Sequence, residues 1–550
     1  MTDKKRSPLD TPTDELSFEE QTYEYARRWA RLTRRDVLKT GAALAGVGAA
    51  AGIGLMPKPA HAAKYGGDLR IARGQESDTL DPQKTVLLAS HEIMWQIYDP
   101  LIYLDEKGEV YPGAAIAWSF ANDNKTVIFK LRPGVEFHDG SPFNAEAVAW
   151  SFNHHLDPET ASPNTWMYGP IDGVEVIDDM TIAYNYKDLF VPLWVGLSYS
   201  YCAPISRAAV EKFGDQFGRN PVGTGPFKFD SWRPDQGIKL VRNEKHDWAT
   251  PWYENKGKAY LDSVEYVVIP EDATRLAALE TGEVHVISGT ESLPSDKIKR
   301  LSNTPGLKTF SRPAVGVFEF MINTQHEPLG DVRVRRAIAH AIDKEKIITL
   351  ALDGQGKAAY SAVATSYAQY NPKSPELDYA FDVDKAKALL AEAGHGDGLT
   401  LTYLNVDGFT KQAEIIQQNL STVGIEMKIS NYPVAEWFPL AGKGDFDLTF
   451  CYYTYSDPDL IYPFFISGGG LNFSFHTNQE LGDLNNIQRT SFDADKRKDA
   501  LYRMQEIIID QAYWVNLWEG NYLAVMKEEV MGLELDVVGF HHLQEIWLDT

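Results

Sequence analysis

From Cys451 the chain reads CYYTYSDPDLIYPFF, which sets Tyr452, Tyr453, Tyr455 and Tyr462 beside Asp457 and Asp459. Phenol rings give stacking faces, and a carboxylate in a partly dry cleft holds an ammonium or guanidinium by a charge-assisted hydrogen bond. Such a set recognises a ligand and breaks no bond. Trp437, in AEWFPL, adds a ring, and Asn405, before the loop VDGF, adds an amide. Two other readings compete: the tyrosines as the edge of a core strand, and Asp459 as the cap of the short turn after Pro458. Two histidine pairs, His154-His155 and His541-His542, are adjacent in sequence, so their side chains diverge on a strand or a helix and do not chelate naturally. The chain has no His-Glu-x-x-His, no Gly-x-Ser-x-Gly and no phosphate loop. No catalytic residue, metal or cofactor is therefore expected.

The elements that must position these residues alternate. DLRIAR predicts a strand over 68–73, followed by the polar loop GQESDTLDP. Strand-rich sequence continues to about Tyr186, with a hairpin expected at Pro133-Gly134 and a helix capped by Asn144. A strand over 264–269, a helix over 272–281 stopped at Gly282 and a strand over 283–287 make a βαβ crossover, which implies a parallel pair. The same grammar returns after residue 380: a helix over 384–393, the strand LTLTYLN, the helix TKQAEIIQQNLSTV, the strand IEMKIS, a short helix over 435–440 and the strand FDLTFCYY. Two α/β lobes with open parallel sheets follow. Ligands of such sheets sit beyond the carboxyl ends of the strands, which picks out GQESDTLDP, NVDGF, NYPVAEW and the Tyr/Asp run. Two lobes with these loops facing form a closing clamp.

The first 62 residues differ from the rest. TRRDVLK (33–39) precedes a short Ala/Gly-rich apolar run and then Ala60-His61-Ala62. That run is too short and too weakly apolar for a membrane anchor. A charged region, an apolar core and a small-x-small site describe an export signal cleaved before Ala63. Arg34 and Arg35, with Leu38 and Lys39, resemble a twin-arginine motif, with Val37 in place of the usual Phe. The competing reading is an amphipathic N-terminus that stays attached. Removal of ten Lys/Arg and eight Asp/Glu with this segment leaves 43 basic and 69 acidic residues, a net charge near −26 that repels nucleic acid and anionic membrane. The remaining 488 residues exceed what one core usually serves. Cys202 and Cys451 read as two buried thiols, although an oxidising compartment would permit pairing. No cysteine lies near the cleavage site, so a soluble periplasmic protein without a lipid anchor is expected.

KTVIFKLRPGVEFHDGSPFNAEAVAWSF (125–152), PVGTGPFKFDSWRPDQGIKLVRNEKHDW (221–248), LETGEVHV and DVRVRRAIAHAIDKEKI (331–347) closely resemble, in order and over nearly the whole mature chain, the peptide/nickel-type (family 5) extracellular solute-binding proteins of ABC transporters. The resemblance implies an α/β, two-lobed, periplasmic-binding-protein-like clamp of type II with an additional domain inserted in the first lobe. Its expected parts are a signal over 1–62, lobe I over 63–98, 220–312 and 512–550, the insertion over 99–219, and lobe II over 313–511. It further implies a monomer that captures a peptide or peptide-like solute and delivers it to permease subunits in the inner membrane, with no chemistry of its own. Peptide receptors of the family hold the ligand's ammonium on an aspartate shortly after a tryptophan. Here Thr454 occupies that place and no tryptophan precedes it, so Asp457 or Asp459 is expected as the anchor and Trp437 as an aromatic wall. An opine, an oligosaccharide or a nickel chelate is the alternative ligand, and a periplasmic hydrolase the alternative class. GTGPF is expected to pack the lobe junction. In DVRVRRAIAHAI, Val334, Ala337, Ile338, Ala341 and Ile342 form a core stripe, with Arg333, Arg335 and Arg336 toward the outer faces. LRPGVEFHDG reads as a hairpin scaffold with His138 and Asp139 at the surface.

Overall fold

Two long strands rich in aromatic and β-branched residues, Leu307–Ile322 and Trp514–Lys527, pair antiparallel through the middle of the molecule. The computed structural model describes residues 63–105, 109–250, 252–288, 297–536 and 538–550. The expected export signal, with Arg34, Arg35, Ala60 and Ala62, lies outside them. Pairing of the long strands slips between Pro313 and Val317, so that Ala314, Val315 and Gly316 bulge from the ladder. A side chain at Gly316 has no room: its Cβ would stand 2.5 Å from Tyr452 Cε2 and 2.8 Å from Thr454 Cγ2.

All other strands of this eleven-stranded sheet are arranged around the pair. Beyond Trp514–Lys527 come, in order, Val286–Ile287, Asp68–Arg73, Ser263–Val268, Gly237–Arg242 and Phe227–Arg233. Beyond Leu307–Ile322 come Leu448–Tyr453, Leu399–Val406 and Ile425–Tyr432. The short strand Lys357–Ala358 pairs separately with Trp514–Lys527. The sheet is therefore mixed: Asp68–Arg73 is parallel to both its neighbours and Leu399–Val406 to both of its own, while Gly237–Arg242, Phe227–Arg233 and the long strands pair antiparallel.

The predicted crossover helix forms as Asp272–Thr281 and ends on Gly282 at φ 80°, a left-handed cap that glycine adopts without strain. Its flanking strands run parallel but are not neighbours. Asp68–Arg73 sits between them and pairs with both, so the crossover spans an intervening strand. In the second lobe Leu399–Val406 is parallel to Ile425–Tyr432 and Leu448–Tyr453, with helices Val383–Glu392, Thr410–Ser421 and Val434–Lys443 in the predicted places.

The additional domain holds a four-stranded antiparallel sheet in the order Ala115–Ala121, Thr126–Leu131, Thr181–Tyr186, Ile171–Asp178. Helix Ala145–Leu156 packs on it, capped by Asn144 Oδ1, which accepts from Ala147 N at 2.9 Å. The hairpin expected at Pro133-Gly134 does not form. Thr126–Leu131 takes its partners from Ala115–Ala121 and Thr181–Tyr186, and Glu136 instead bridges Pro142. His138 is half-buried, with its Nε2 3.0 Å from Gly225 O and its pKa pushed down to about 4 by burial, while Asp139 is exposed as expected.

Gly223 and Gly225 of GTGPF let the backbone approach helix Leu88–Ile97, with Gly225 N donating to Ile97 O at 2.9 Å. Added Cβ atoms at the two glycines would stand 2.2 and 2.7 Å from backbone there. On helix Val332–Ala341 the expected stripe is buried, but Arg335 turns inward. Its guanidinium donates to the carbonyls of Leu329, Gly330 and Gln511 at 2.8, 3.0 and 2.9 Å, which replace the water it gives up. Arg333 and Arg336 stay outside, paired with Asp331 and Asp510. Cys202 and Cys451 are buried and not joined to each other.

Because backbone and a neighbouring strand's rings crowd Gly316, Gly316→Ala should lower the unfolding free energy by about 1–3 kcal/mol. Urea denaturation measures this, and an unchanged midpoint would mean that the bulge admits a side chain.

Candidate functional site

Just before the bulge, Phe310, Ser311, Arg312 and Pro313 of the first crossover strand border a cavity of about 840 Å³. Trp95, Tyr103 and Tyr199 form one side, and Tyr367, Gln369 and Ser456 of the second lobe another. Trp252, Tyr253 and the C-terminal segment around Asp536 close a third. The volume suits a drug-sized ligand, and ring faces with a few polar groups make a usual recognition surface.

The lining is acidic. Asp105, Asp457, Glu534 and Asp536 contribute carboxylates, against the single guanidinium of Arg312 among the described lining residues. Arg312 Nη1 donates to Leu535 O at 2.7 Å, which seats it beside Asp536. Burial pushes the pKa of His542 down to about 4, so its imidazole is neutral at pH 7. Asp536 Oδ1 accepts from the backbone N–H groups of Val538 and Phe540, each at 2.9 Å. Burial nonetheless outweighs those bonds and the nearby Arg312, and raises the Asp536 pKa to about 6.

The residues expected from sequence are placed differently from one another. Asp457 borders the large cavity, but its Oδ1 already serves two purposes. It caps the turn Pro458–Leu460 by accepting from Asp459 N at 2.7 Å, and it is 2.6 Å from Arg497 Nη2. The cap is thus Asp457, not Asp459. Asp459 is wholly buried, accepts from Gln488 Nε2 and lies 3.1 Å from Arg489 Nε. Trp437, Tyr452 and Tyr453 line a separate, mostly apolar cavity of about 80 Å³ against Val86, Leu87 and Leu88. Trp437 Nε1 is satisfied by Thr449 Oγ1 at 2.9 Å. Tyr455 is buried between Tyr199 and Trp166, at 5.0 and 5.3 Å between ring centroids, and its carbonyl accepts from the Tyr367 hydroxyl. The Arg489 guanidinium lies 4.0 Å over the Tyr462 ring. Asn405 is fully buried and donates to Asn431 Oδ1 at 2.7 Å.

Most of the loop therefore faces protein. The loop meets the additional domain where Ser456 N donates to the Tyr199 hydroxyl at 3.0 Å, and Arg489 of helix Gln479–Thr490 meets it too, its Nη2 donating to Trp166 O at 2.8 Å and its carbonyl accepting from Val191 N at 2.7 Å. Sequence reasoning missed Trp95, Tyr103, Tyr199, Trp252 and Asp536. They come from four distant segments and share no local spacing; only the density of rings between 248 and 253 offered a signal.

Residues 109–473 match the family model described as bacterial extracellular solute-binding proteins, family 5. The dipeptide-binding protein of Escherichia coli is 27% identical over 80% of this chain and 86% of its own length. The glutathione-binding protein GsiB of the same species is 26% identical over 90% of this chain and 96% of its own. Among solved structures, the ABC transporter-associated periplasmic binding protein DppA from Helicobacter pylori, in complex with the peptide STSA, superposes with a TM-score of 0.80. It is 26% identical and covers 88% of this chain and 99% of its own. Among the described residues no cluster of three or more His, Cys, Asp or Glu side chains could hold a metal ion, and no helix is long and apolar enough to cross a membrane.

A carboxylate whose folded pKa is raised binds a proton that the unfolded chain, near 3.9, has already released. Asp536 therefore lowers stability as pH rises from about 4 to about 6. Asp536→Asn keeps an oxygen for the Val538 and Phe540 N–H groups and removes the titration. The fall in unfolding free energy across that window should shrink by up to about 1.4 kcal/mol per pH unit, measured by denaturant titration at several pH values. Identical slopes for the two proteins would place the Asp536 carboxyl in water.

Proposed function

This chain belongs to family 5 of the bacterial extracellular solute-binding proteins, and we propose that it is the periplasmic receptor of an ABC importer that closes on a peptide or peptide-like solute and presents it to the membrane permease. The observation that carries this is the cavity of about 840 Å³ bordered by both lobes, by the additional domain and by the crossover strand itself. A zwitterionic solute suits it, with carboxylates for an ammonium and Arg312 for a carboxylate. Relatives named for dipeptide and glutathione binding, and a like fold holding a tetrapeptide, support that class.

In this proposal the twin-arginine signal delivers a folded, unanchored chain to the periplasm, and the protein performs no bond-making step. The moving bodies are lobe I (63–98, 220–312 and 512–550) with its insertion (99–219), and lobe II (313–511). The 312/313 boundary of this division lies next to the register slip of the first long strand. Asp457 meets the solute at the cavity margin. Trp437, Tyr452, Tyr453, Tyr455, Asp459, Tyr462 and Asn405 hold the shape of the wall behind it.

Calorimetric titration of the mature chain with di- and tripeptides, glutathione, opines, oligosaccharides and nickel tests this. Peptides should give saturable binding, and Arg312→Ala should weaken a free-carboxylate peptide by roughly 10- to 150-fold while barely affecting its C-terminal amide. Binding by another class alone, or equal losses for acid and amide, would contradict the proposal.

A further inference from the structure

We propose that the corner of the large cavity built from Trp95, Tyr103, Trp252 and Tyr253 is a subsite for a compact organic cation, a guanidinium or alkylammonium group carried by the solute. The inference rests on the peptide reading for the identity of the cavity, and adds to it the charge of one part of the ligand.

Successive rings meet at nearly right angles. Trp95 and Tyr103 are 6.2 Å apart at 78°, Tyr103 and Trp252 6.4 Å at 88°, and Trp252 and Tyr253 6.3 Å at 89°. The pairs are edge contacts, so rings in crossed orientations border the corner in place of a slab for one flat group. A cation against a ring face meets the negative side of its quadrupole. All four rings border the cavity, and Trp252 is 39% exposed, so the corner opens to solvent.

The potential there has the matching sign. Asp105 follows strand Ile102–Leu104 directly, and its carboxylate, which accepts from Glu109 N at 2.8 Å, stays on the cavity wall. Behind it the Tyr103 hydroxyl donates to Asp99 Oδ1 at 3.3 Å. The Tyr253 phenol is held well above its ordinary pKa, first by burial and then by Asp536, Glu545, Asp99 and Glu534, which shows how many carboxylates surround that ring. Two guanidinium groups are close. Arg312 is bound to Leu535 O and offsets Asp536 beside it. Arg132 does not line the cavity: its Nε donates to Gly113 O at 3.0 Å and it lies 4.4 Å over Trp248. Glu534 on this wall, with Asp105 held by Glu109 N, keeps the corner lined by carboxylates. An uncharged or acidic group at this corner would gain nothing from them.

The test compares matched peptides. Three Ala-based tripeptides carrying arginine at the first, second or third position are titrated beside their citrulline counterparts, which keep the shape and lose the charge. At least one arginine peptide should bind roughly 3- to 30-fold more tightly than its partner, and Trp252→Ala should remove most of that preference. Trp252 is exposed, and an unchanged melting curve will show that the variant folds. If both members of every pair bind equally, or if the preference survives Trp252→Ala, the cation subsite is wrong while the peptide receptor stands. If no peptide binds, the peptide reading fails, and titration with agmatine and choline decides the subsite: binding that Trp252→Ala abolishes supports it, and no binding overturns it.

Discussion

The antiparallel pairing of Leu307–Ile322 with Trp514–Lys527 is the constraint on which the rest depends. Every other strand of the large sheet is attached to one side or the other of this pair. Buried backbone donors and acceptors must stay paired, so the lobes cannot slide apart along this seam. The ladder slips at Ala314, Val315 and Gly316, with Gly520 opposite, between the partners Pro313–Asn521 and Val317–Glu519, and by one residue again between Phe318 and Glu319. A bulge of unpaired residues flanked by firm ladders is where a hinge can bend without losing hydrogen bonds. The large cavity begins at Phe310 to Pro313, on the threshold of that bulge. Site and hinge are thus built on the same strand.

The Tyr/Asp loop shows what burial does to a charged sequence. A carboxylate withdrawn from water needs a partner, and losing that partner typically costs about 3–5 kcal/mol. Asp457 and Asp459 meet the need with Arg497 and Arg489, residues of the paired helices Gln479–Thr490 and Ala494–Asp510. The loop is consequently a firmly held wall, with Asp459 directed into the protein and Asp457 shared between Arg497 and the cavity margin. Its rings meet Trp166 and Tyr199 of the additional domain, so the same wall also closes one side of the clamp.

What could be read in the sequence follows from the range of the forces involved. Helix Asp272–Thr281 with Gly282, the Asn144 cap and the alternating elements after residue 380 are set by neighbours within a few residues, and they appear where local spacing puts them. The intervening strand Asp68–Arg73, the partners of Thr126–Leu131 and the inward turn of Arg335 depend on contacts with segments distant in sequence. The same holds for the site. Density of Tyr and Asp marked an important loop, but a carboxylate that anchors a ligand and one that pairs with a distant arginine have the same local sequence. Trp95, Tyr103 and Tyr253 become one surface only when the additional domain folds against lobe I, and no spacing announces that.

The central claim, that a solute is held in the large cavity by both lobes at once, is tested most directly by hydrogen exchange of the mature chain with and without a saturating tripeptide. Protection should rise in three separated stretches, around 310–316, 366–369 and 534–536. Protection confined to one lobe, or centred on Trp437 and the small cavity with these stretches unchanged, would contradict it.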